Sequence, residues 1–298
     1  RVKSVRLRGE ISCGIIIPKE LLTDFNVQSE VGEDISTTLG ITKYEAPIPQ
    51  SLGGQVKRLD MDHIGNHDCE HYNVYVDQLV DGERFVITEK IHGSQFILGH
   101  DLYDEKTIIS SKGLLKSGLV IDDSDSNVYW TACKNDGILE KIEDAFTNGD
   151  FDIRAKVVQV FGEVFPVQKG YDYGQTKPTV RIFDIRENGV SIPYDKVPDS
   201  FKSLWVPIIF DGNVYLDKKE VVIYSDPDKN IHKTRIEFSL PKYILDKREG
   251  KEMVSGNETH IREGVVLRPY FDRDATDGTK LRLKIINPAY KESGEEIN

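Results

Sequence analysis

Cysteine is scarce in this 298-residue sequence, which contains only Cys13, Cys69 and Cys133. The three are odd in number, lie far apart and form no C-x-x-C pair. This pattern argues against a disulfide framework. We therefore expect the protein to work in a reducing, intracellular compartment.

Long apolar runs are missing as well. No stretch approaches the ~18 consecutive apolar residues that a membrane helix requires. The first residues alternate basic and apolar side chains and lack the apolar core of a signal peptide. The P-loop, the H-E-x-x-H zinc motif, the G-x-S-x-G elbow and the Rossmann glycine fingerprint are also absent. The sequence therefore predicts no membrane insertion and none of the chemistries that these motifs carry.

Positive charge is in deficit, since 39 Lys and Arg face 50 Asp and Glu, a net charge of −11. This balance disfavours a protein that coats nucleic acid through bulk electrostatics. The basic residues are concentrated, however: residues 1–8 hold four and no acidic group, and residues 265–291 hold six against three acidic groups. The distribution is compatible with a small basic site on an acidic body.

Short segments with strand-like composition dominate the chain, and Asn-Gly and Asp-Gly turns between neighbours favour antiparallel pairing. The predicted strands are residues 1–17, 84–88, 95–98, 107–111, 156–161, 179–185, 190–193, 206–210, 214–216, 221–224, 264–267 and 281–286. Residues 84–88 and 95–98 flank a short polar tract and predict a hairpin. The best helix pattern covers residues 127–146, with Ser126 or Asn127 as N-cap and Gly137 weakening its middle. The fold class is therefore α+β, with more strand than helix.

The most informative stretch is Thr88-Glu-Lys-Ile-His-Gly-Ser-Gln-Phe96. A lysine followed three residues later by glycine is a weak pattern alone, because an exposed lysine in a turn produces it equally well. An ordered series of segments downstream changes this interpretation: residues 110–113, 160–165, 180–185, 263–268 and 281–285. Most of them are short apolar strands that carry polar residues which a pure core strand would avoid.

This series resembles the covalent nucleotidyltransferase superfamily of ATP-dependent ligases and mRNA capping enzymes, over roughly residues 84–286. The K-x-H-G form of the lysine motif is similar to that of RNA ligases that seal nicks in duplex RNA. The resemblance implies an antiparallel-sheet nucleotidyltransferase (adenylyltransferase) fold with flanking helices. It also implies an ATP-dependent RNA ligase that joins 3′-OH and 5′-phosphate ends of nicked or broken RNA, expected to act as a monomer.

By its place in the motif, Lys90 is the expected nucleophile, which attacks the α-phosphorus of ATP and carries AMP covalently. Only the neutral amine can attack, whereas the unperturbed lysine pKa is ~10.4. We expect partial desolvation and nearby positive charge, from a metal ion together with Arg282 and Lys284, to lower this pKa. The two basic residues alternate along a predicted strand, so both are expected to point at triphosphate oxygens. The family usually has lysine at both positions, so Arg282 is a departure.

The resemblance implies further roles. Glu263 and Glu163 are expected to hold Mg²⁺ or Mn²⁺ through water, as suits a cation that keeps much of its hydration shell. Glu163 would alternatively contact the ribose 2′-OH. The expected nucleotide-binding residues are Glu89, Ile91, Gly93, Glu163, Phe183 and Lys112. Among these, Phe183 would stack on adenine or be a plain core aromatic, Gly93 would allow close backbone approach to the nucleotide, and Lys112 would bind phosphate or be a solvated surface lysine.

Two parts of the chain fit less directly. Residues 1–55 look like the lead-in segment of RNA ligases with an N-terminal OB domain, on the strength of Arg8-Gly and Ser12-x-Gly14, and that OB domain would be missing here. Residues 56–298 would form the nucleotidyltransferase domain. The cluster His63, His67, Cys69 and His71 has spacings that match no standard zinc finger, so a solvated polar loop is expected.

Two alternative functions stay open at this point. A GTP-dependent mRNA capping guanylyltransferase uses the same lysine chemistry, although it expects a downstream OB domain. A non-catalytic RNA-binding relative would keep the fold, yet it would be free to lose Lys90, Glu163, Glu263 and Lys284, all of which are present.

Overall fold

The structure, a computed structural model, describes residues 5–7, 10–12, 16, 18, 20–22, 30–42, 47–167, 170–226 and 231–290. The chain divides into two compact units, Arg1–Gly53 and Gly54–Asn298. In the described part of the chain, no helix combines the length and apolarity needed to cross a membrane.

The first unit contains two short strands, β1 (Val5–Leu7) and β2 (Glu10–Ser12), which pair antiparallel. The prediction of a single strand over residues 1–17 is therefore wrong, because this segment folds back on itself as a hairpin. Residues 30–42 form turns, and residues 50–52 form a 3-10 helix. Of the lead-in pattern, Arg8-Gly and Gly14 lie outside the described residues.

Among the described residues, the second unit carries the other strands and the α-helices. Its first half contains β3 (Val56–Arg58), β4 (Glu70–His71), α1 (Tyr72–Tyr75), β5 (Glu83–Lys90), β6 (Ser94–Asp101), β7 (Thr107–Ser111), α2 (Lys112–Lys116), β8 (Leu119–Ile121), α3 (Val128–Asn135) and α4 (Ile138–Thr147). Its second half contains β9 (Val157–Phe165), β10 (Thr179–Glu187), β11 (Val190–Ser191), α5 (Asp199–Lys202), β12 (Ile208–Val214), β13 (Asp217–Asp226), β14 (Ile231–Ser239), α6 (Lys242–Leu245), β15 (Gly264–Pro269) and β16 (Leu283–Ile286). Short 3-10 helices lie at Val76–Gln78, Tyr194–Lys196 and Asp246–Arg248.

Two sheets form the body of this unit. A seven-stranded antiparallel sheet has the order β11-β10-β9-β6-β7-β8-β3, and a five-stranded sheet has the order β12-β5-β15-β16-β4. Only the β16–β4 pair is parallel in the second sheet. Strands β13 and β14 form a separate ribbon, and β14 has no counterpart among the predicted strands. The α+β fold class with antiparallel sheets is thus confirmed.

The predicted hairpin between residues 84–88 and 95–98 is wrong. Strands β5 and β6 do not pair with each other, because β5 belongs to the five-stranded sheet and β6 to the seven-stranded sheet. The polar tract between them is a crossing from one sheet to the other. At its end, Gly93 packs so tightly that an added Cβ would lie 2.2 Å from the Val164 carbonyl oxygen of β9.

The predicted helix over residues 127–146 is two helices, α3 and α4. Asn127 caps α3 as expected, its side chain accepting hydrogen bonds from the Tyr129 and Trp130 N–H groups. Gly137 then adopts a left-handed conformation with φ 58°, which residues with a side chain rarely adopt, and the helix direction breaks there. The corner is fixed to β10, since the Asp136 carboxylate accepts hydrogen bonds from the Val180 N–H and the Thr179 hydroxyl.

Successive side chains along a strand point to opposite faces, so one set packs in a core and the other set faces a cavity. On β5, Phe85 and Ile87 are fully buried in the core of the five-stranded sheet, whereas Val86 and Thr88 point to the opposite face. The larger core lies where α3 and α4 cover the seven-stranded sheet, with Ile138 of α4 among its members. The faces of the two sheets that do not pack into these cores line a cavity.

Candidate active site

A cavity of about 360 Å³ has walls from both sheets of the second unit. This volume falls within the range of small-molecule sites. Its lining comes from β5, β15 and the residues around β16 on one side, and from β6, β9 and β10 on the other. Nine of the ten predicted site residues line it: Glu89, Lys90, Ile91, Gly93, Lys112, Glu163, Phe183, Arg282 and Lys284. The tenth, Glu263, contacts Lys90 directly.

Lys90 is the last residue of β5, at the point where the chain leaves the five-stranded sheet. Its Nζ lies 2.7 Å from Glu263 Oε1. Burial lowers the pKa of Lys90, but the carboxylates of Glu263 and Glu163 outweigh burial and hold this pKa above its usual value. The protein side chains by themselves therefore do not lower the Lys90 pKa, because the charges nearest to the amine are negative rather than positive.

Two further carboxyl groups in the cavity have raised pKa values. Burial raises the pKa of Glu163 on β9 to about 8, against the opposing effect of the Lys90 charge. Burial likewise raises the pKa of Glu89 to about 7. Glu89 Oε2 accepts a hydrogen bond from the Met253 N–H at 2.9 Å, while its buried Oε1 has no hydrogen-bond partner in the described part of the chain. At neutral pH, Glu163 is therefore largely protonated and Glu89 is partly so.

The two basic residues near β16 differ in their surroundings. Arg282 directly precedes the strand and is 1% exposed, and its Nη2 donates hydrogen bonds to Asp184, Asp272 and the Ser191 hydroxyl. Lys284 lies on β16 itself and has no ion-pair partner among the described side chains. Arg282 is thus bound to carboxylates, whereas the Lys284 ammonium is available to an anion in the cavity.

Asp184 is the centre of a buried charged network that sequence reasoning missed. Its carboxylate is fully buried and contacts the guanidinium groups of Arg186 at 3.0 Å, Arg282 at 3.1 Å and Arg268 at 3.5 Å. Burial raises the pKa of Asp184, but Arg282 and the other cationic neighbours outweigh burial and lower it. The signal in the sequence was an aspartate directly after Phe183, between the apolar residues Ile182 and Ile185 of the strand.

Phe183 reaches the cavity at an irregular point of β10. The pairing of β10 with β9 shifts register between Ile182 and Asp184, and Phe183 is the residue skipped by this bulge. A bulge re-aims the side chain of its extra residue. Phe183 is partly buried and lines the cavity, so it is not a plain core aromatic.

The prediction of a solvated polar loop for the histidine- and cysteine-containing segment is wrong for His67, whereas His63 is exposed. The His67 side chain is 6% exposed, and its ring lies 4.6 Å from that of Phe183 and 5.4 Å from that of Phe161. Burial holds the pKa of His67 well below its usual value. Cys69 also lines the cavity. Over the described ranges, no three His, Cys, Asp or Glu side chains are grouped so as to hold a metal ion.

A hydrated divalent cation needs fewer protein ligands than the three side chains of such a group. Mg²⁺ typically keeps several waters and binds through one or two carboxylates together with substrate phosphates. Glu263 and Glu163 are both close enough to Lys90 to raise its pKa. Glu263 and, once its proton is displaced, Glu163 therefore fit a Mg²⁺ or Mn²⁺ that also binds phosphate rather than a fully protein-enclosed metal.

Lys112 begins helix α2 and lines the cavity, but it is not a free surface lysine. Its Nζ lies 2.6 Å from Asp68 Oδ1, and Lys116 contacts the same oxygen at 3.2 Å. The three side chains are half-exposed. The Asp68 carboxylate thus occupies the position where the resemblance puts a phosphate. No pattern in the sequence pointed to Asp68.

Comparison with known proteins gives one family and one fold. A family model described as RNA ligase matches residues 83–286. The Naegleria gruberi RNA ligase with PPi is similar in structure, with a TM-score of 0.55 and 21% identity, over 97% of this chain and 75% of that chain. A mutant of the same protein with ATP and Mn gives a TM-score of 0.56 at 21% identity, over 97% of this chain and 76% of that chain. No curated protein matches the chain by sequence.

Proposed function

This chain belongs to the RNA ligase family, and we propose that it is an ATP-dependent RNA ligase that acts through AMP bound covalently to Lys90. The observation that carries the proposal is the position of Lys90: its amine faces a cavity of nucleotide size and contacts Glu263, with Glu163, Lys112 and Lys284 around it. The structures of the similar Naegleria ligase with ATP and Mn are consistent with this nucleotide and a divalent metal.

In the first step, Lys90 Nζ forms a bond to the α-phosphorus of ATP, and the bond to the leaving pyrophosphate breaks. The raised pKa of Lys90 means that its amine must lose a proton before it attacks. Glu263 Oε1, at 2.7 Å, is the nearest acceptor for that proton. Glu263 and Glu163 would hold Mg²⁺ or Mn²⁺, and the positive charge of the cation would stabilise the phosphate oxygens and favour the neutral amine.

The remaining residues bind and orient the nucleotide. Lys284 and Lys112 would neutralise charge that develops on the phosphates, since phosphoryl transfer depends mainly on positioning and electrostatics. Phe183 would stack on adenine. Because Arg282 is held by Asp184 and Asp272, we propose that it supports this end of the cavity and contacts phosphate only as part of that network.

The second and third steps use the same site. AMP passes from Lys90 to a 5′-phosphate on RNA, and a 3′-OH then attacks that activated end, joins the strands and releases AMP. We further propose that residues 56–298 form the catalytic domain that carries these steps.

The first test is covalent labelling with α-³²P-ATP and Mg²⁺ or Mn²⁺. We expect label on the wild type, none on Lys90→Ala, and full label on Lys106→Ala, a matched control whose lysine pairs with Asp60 away from the cavity. Equal labelling of wild type and Lys90→Ala would rule out this nucleophile. Label from GTP instead of ATP would indicate a capping guanylyltransferase, and no label from either would indicate a non-catalytic relative.

A second test isolates the last step. Lys90→Ala, mixed with a nicked duplex whose 5′-phosphate already carries AMP, should seal the nick without ATP, because Lys90 is needed only to load the nucleotide. The same variant should not seal an ordinary 5′-phosphate nick even with ATP. Failure of wild type and variant alike on the AMP-activated nick would contradict RNA ligation.

A further inference from the structure

The segment after β16 folds back onto the start of β15. Asn287 is buried, and its N–H donates to the Glu263 carbonyl at 2.9 Å while its side-chain amide donates to the Arg262 carbonyl at 3.1 Å. The Asn287 carbonyl in turn accepts a hydrogen bond from the Tyr290 N–H at 3.0 Å. This tight turn brings Tyr290 next to the lysine motif, far from it along the chain.

Tyr290 contacts the histidine that distinguishes this lysine motif. Its hydroxyl oxygen lies 2.5 Å from His92 Nδ1. His92 is 6% exposed, its ring packs 4.4 Å from that of Tyr171, and its backbone N–H donates to the Tyr173 hydroxyl at 2.7 Å. The backbone, one ring face and one ring nitrogen of His92 are thus each held by a different tyrosine.

His92 in turn lies beside the carboxylate that contacts the nucleophile. Its Nδ1 is 3.9 Å from Glu263 Oε2, while Glu263 Oε1 is 2.7 Å from Lys90 Nζ. The carboxylate therefore lies between the imidazole and the amine. Because the imidazole cannot turn without breaking its contact with Tyr290, it limits the orientations open to Glu263. Displacements of this kind, of about an ångström, can cost a hundredfold in rate when they misplace reacting groups.

We propose that Tyr290 is a positioning residue: through His92, its hydroxyl fixes the Glu263 carboxylate against Lys90. This inference rests on the proposed function, since it assigns Tyr290 a part in loading AMP onto Lys90. Neither Tyr290 nor His92 is among the residues that line the cavity. The contribution is therefore to the geometry of the reacting groups and not to nucleotide binding.

The decisive variant is Tyr290→Phe, which removes only the hydroxyl. We expect the rate of Lys90 labelling at saturating ATP to fall about tenfold, while the ATP concentration for half-maximal rate stays unchanged. Tyr75→Phe is the matched control, because it removes a tyrosine hydroxyl that donates to Asp277 at 2.6 Å in the other core. It should label at the wild-type rate, and both variants should unfold cooperatively near the wild-type temperature.

A double-mutant cycle separates positioning from general loosening. In His92→Gln, the new side chain can place its amide where Nε2 lies but has no polar atom at the position of Nδ1. Adding Tyr290→Phe to this variant should therefore cause no further loss of labelling rate. His92→Asn keeps a polar atom near Nδ1, so there Tyr290→Phe should still lower the rate. Additive losses in the His92→Gln background, or a wild-type rate for Tyr290→Phe, would overturn the inference. An unlabelled wild type would instead overturn the proposed function itself.

Discussion

Most charged side chains around the cavity are paired with each other. Lys90 is bound to Glu263, Lys112 to Asp68, and Arg282 to Asp184. A triphosphate would therefore exchange existing carboxylate partners for phosphate oxygens rather than meet bare cations. Among the lysines and arginines that line the cavity in the described part of the chain, Lys284 is the one without an ion-pair partner.

The raised pKa of Glu163 predicts a pH dependence of stability. In the unfolded chain this carboxyl ionises near 4.5, whereas burial in the folded protein raises its pKa to about 8. Folding therefore takes up a proton between these values, so the contribution of Glu163 to stability is present at low pH and is lost as pH rises to about 8. Glu163→Gln removes this titration.

The unfolding free energy of Glu163→Gln, relative to wild type, should thus rise by about 3 to 4 kcal/mol between pH 5 and pH 8. Urea denaturation of both proteins at several pH values in this range measures the difference. A difference that stays constant with pH would contradict the assignment of a buried, protonated Glu163.

Arg282 gives a second prediction at this scale. Removing one partner from a buried ion pair leaves the other charge uncompensated, which costs ~3 kcal/mol or more. Arg282→Ala should lose about that much stability, because Asp184 and Asp272 lose a shared cation. Lys284→Ala, which breaks no ion pair in the described part of the chain, should unfold close to wild type. Chemical denaturation checks both, and equal stability losses would contradict the difference between the two residues.

The sequence predicted the site residues better than their partners. Lys90, Glu163, Glu263 and Lys284 stand in recognisable motifs whose order along the chain carries the information. Asp68, Asp184 and Tyr290 were missed because each matters through a contact distant in sequence. No local pattern encodes such a contact, so only the folded chain reveals it.

At the scale of elements, the alternation of apolar and polar residues located most strands but did not show which strands pair with each other. The segment between β5 and β6 has the composition of a hairpin turn, yet its strands pair elsewhere because β5 has β12 and β15 as neighbours and β6 has β7 and β9. Whether two consecutive strands pair depends on competition with distant strands. The helix pattern over residues 127–146 likewise gave the correct N-cap but concealed a corner that Gly137 makes possible.

That corner can be tested by stability. Gly137→Ala forces an alanine into a left-handed conformation, so we expect a loss of about 1 kcal/mol. Gly113→Ala is the matched control, because Gly113 lies in α2 without a positive φ and has no atom within 4 Å of an added Cβ. It should be neutral or slightly stabilising. Thermal unfolding of the two variants compares them, and equal effects would contradict the explanation of the break.

At the scale of the whole molecule, both sheets and the cavity belong to a single compact unit, Gly54–Asn298. Every strand of the seven- and five-stranded sheets lies within these residues.

A chain that begins at Gly54 should therefore fold by itself. We expect it to unfold cooperatively near the temperature of the full chain and to keep covalent labelling of Lys90 by ATP. Circular dichroism and the labelling assay measure the two properties. A shortened chain that stays unfolded would contradict the division into units, and one that folds without labelling would assign residues 1–53 a part in the first step.

The position of β15 in the middle of the five-stranded sheet has a consequence for synthesis on the ribosome. Until residues 264–269 have emerged, β5 can pair only with β12, β16 has no neighbouring β15, and Glu263 is not held beside Lys90. Contacts that span so much of the chain carry a large loop-closure cost and form slowly. A nascent chain halted before β15 would therefore display the lysine motif without Glu263 and Lys284, so the site that we propose would be complete only after residues 263–286 have been synthesised.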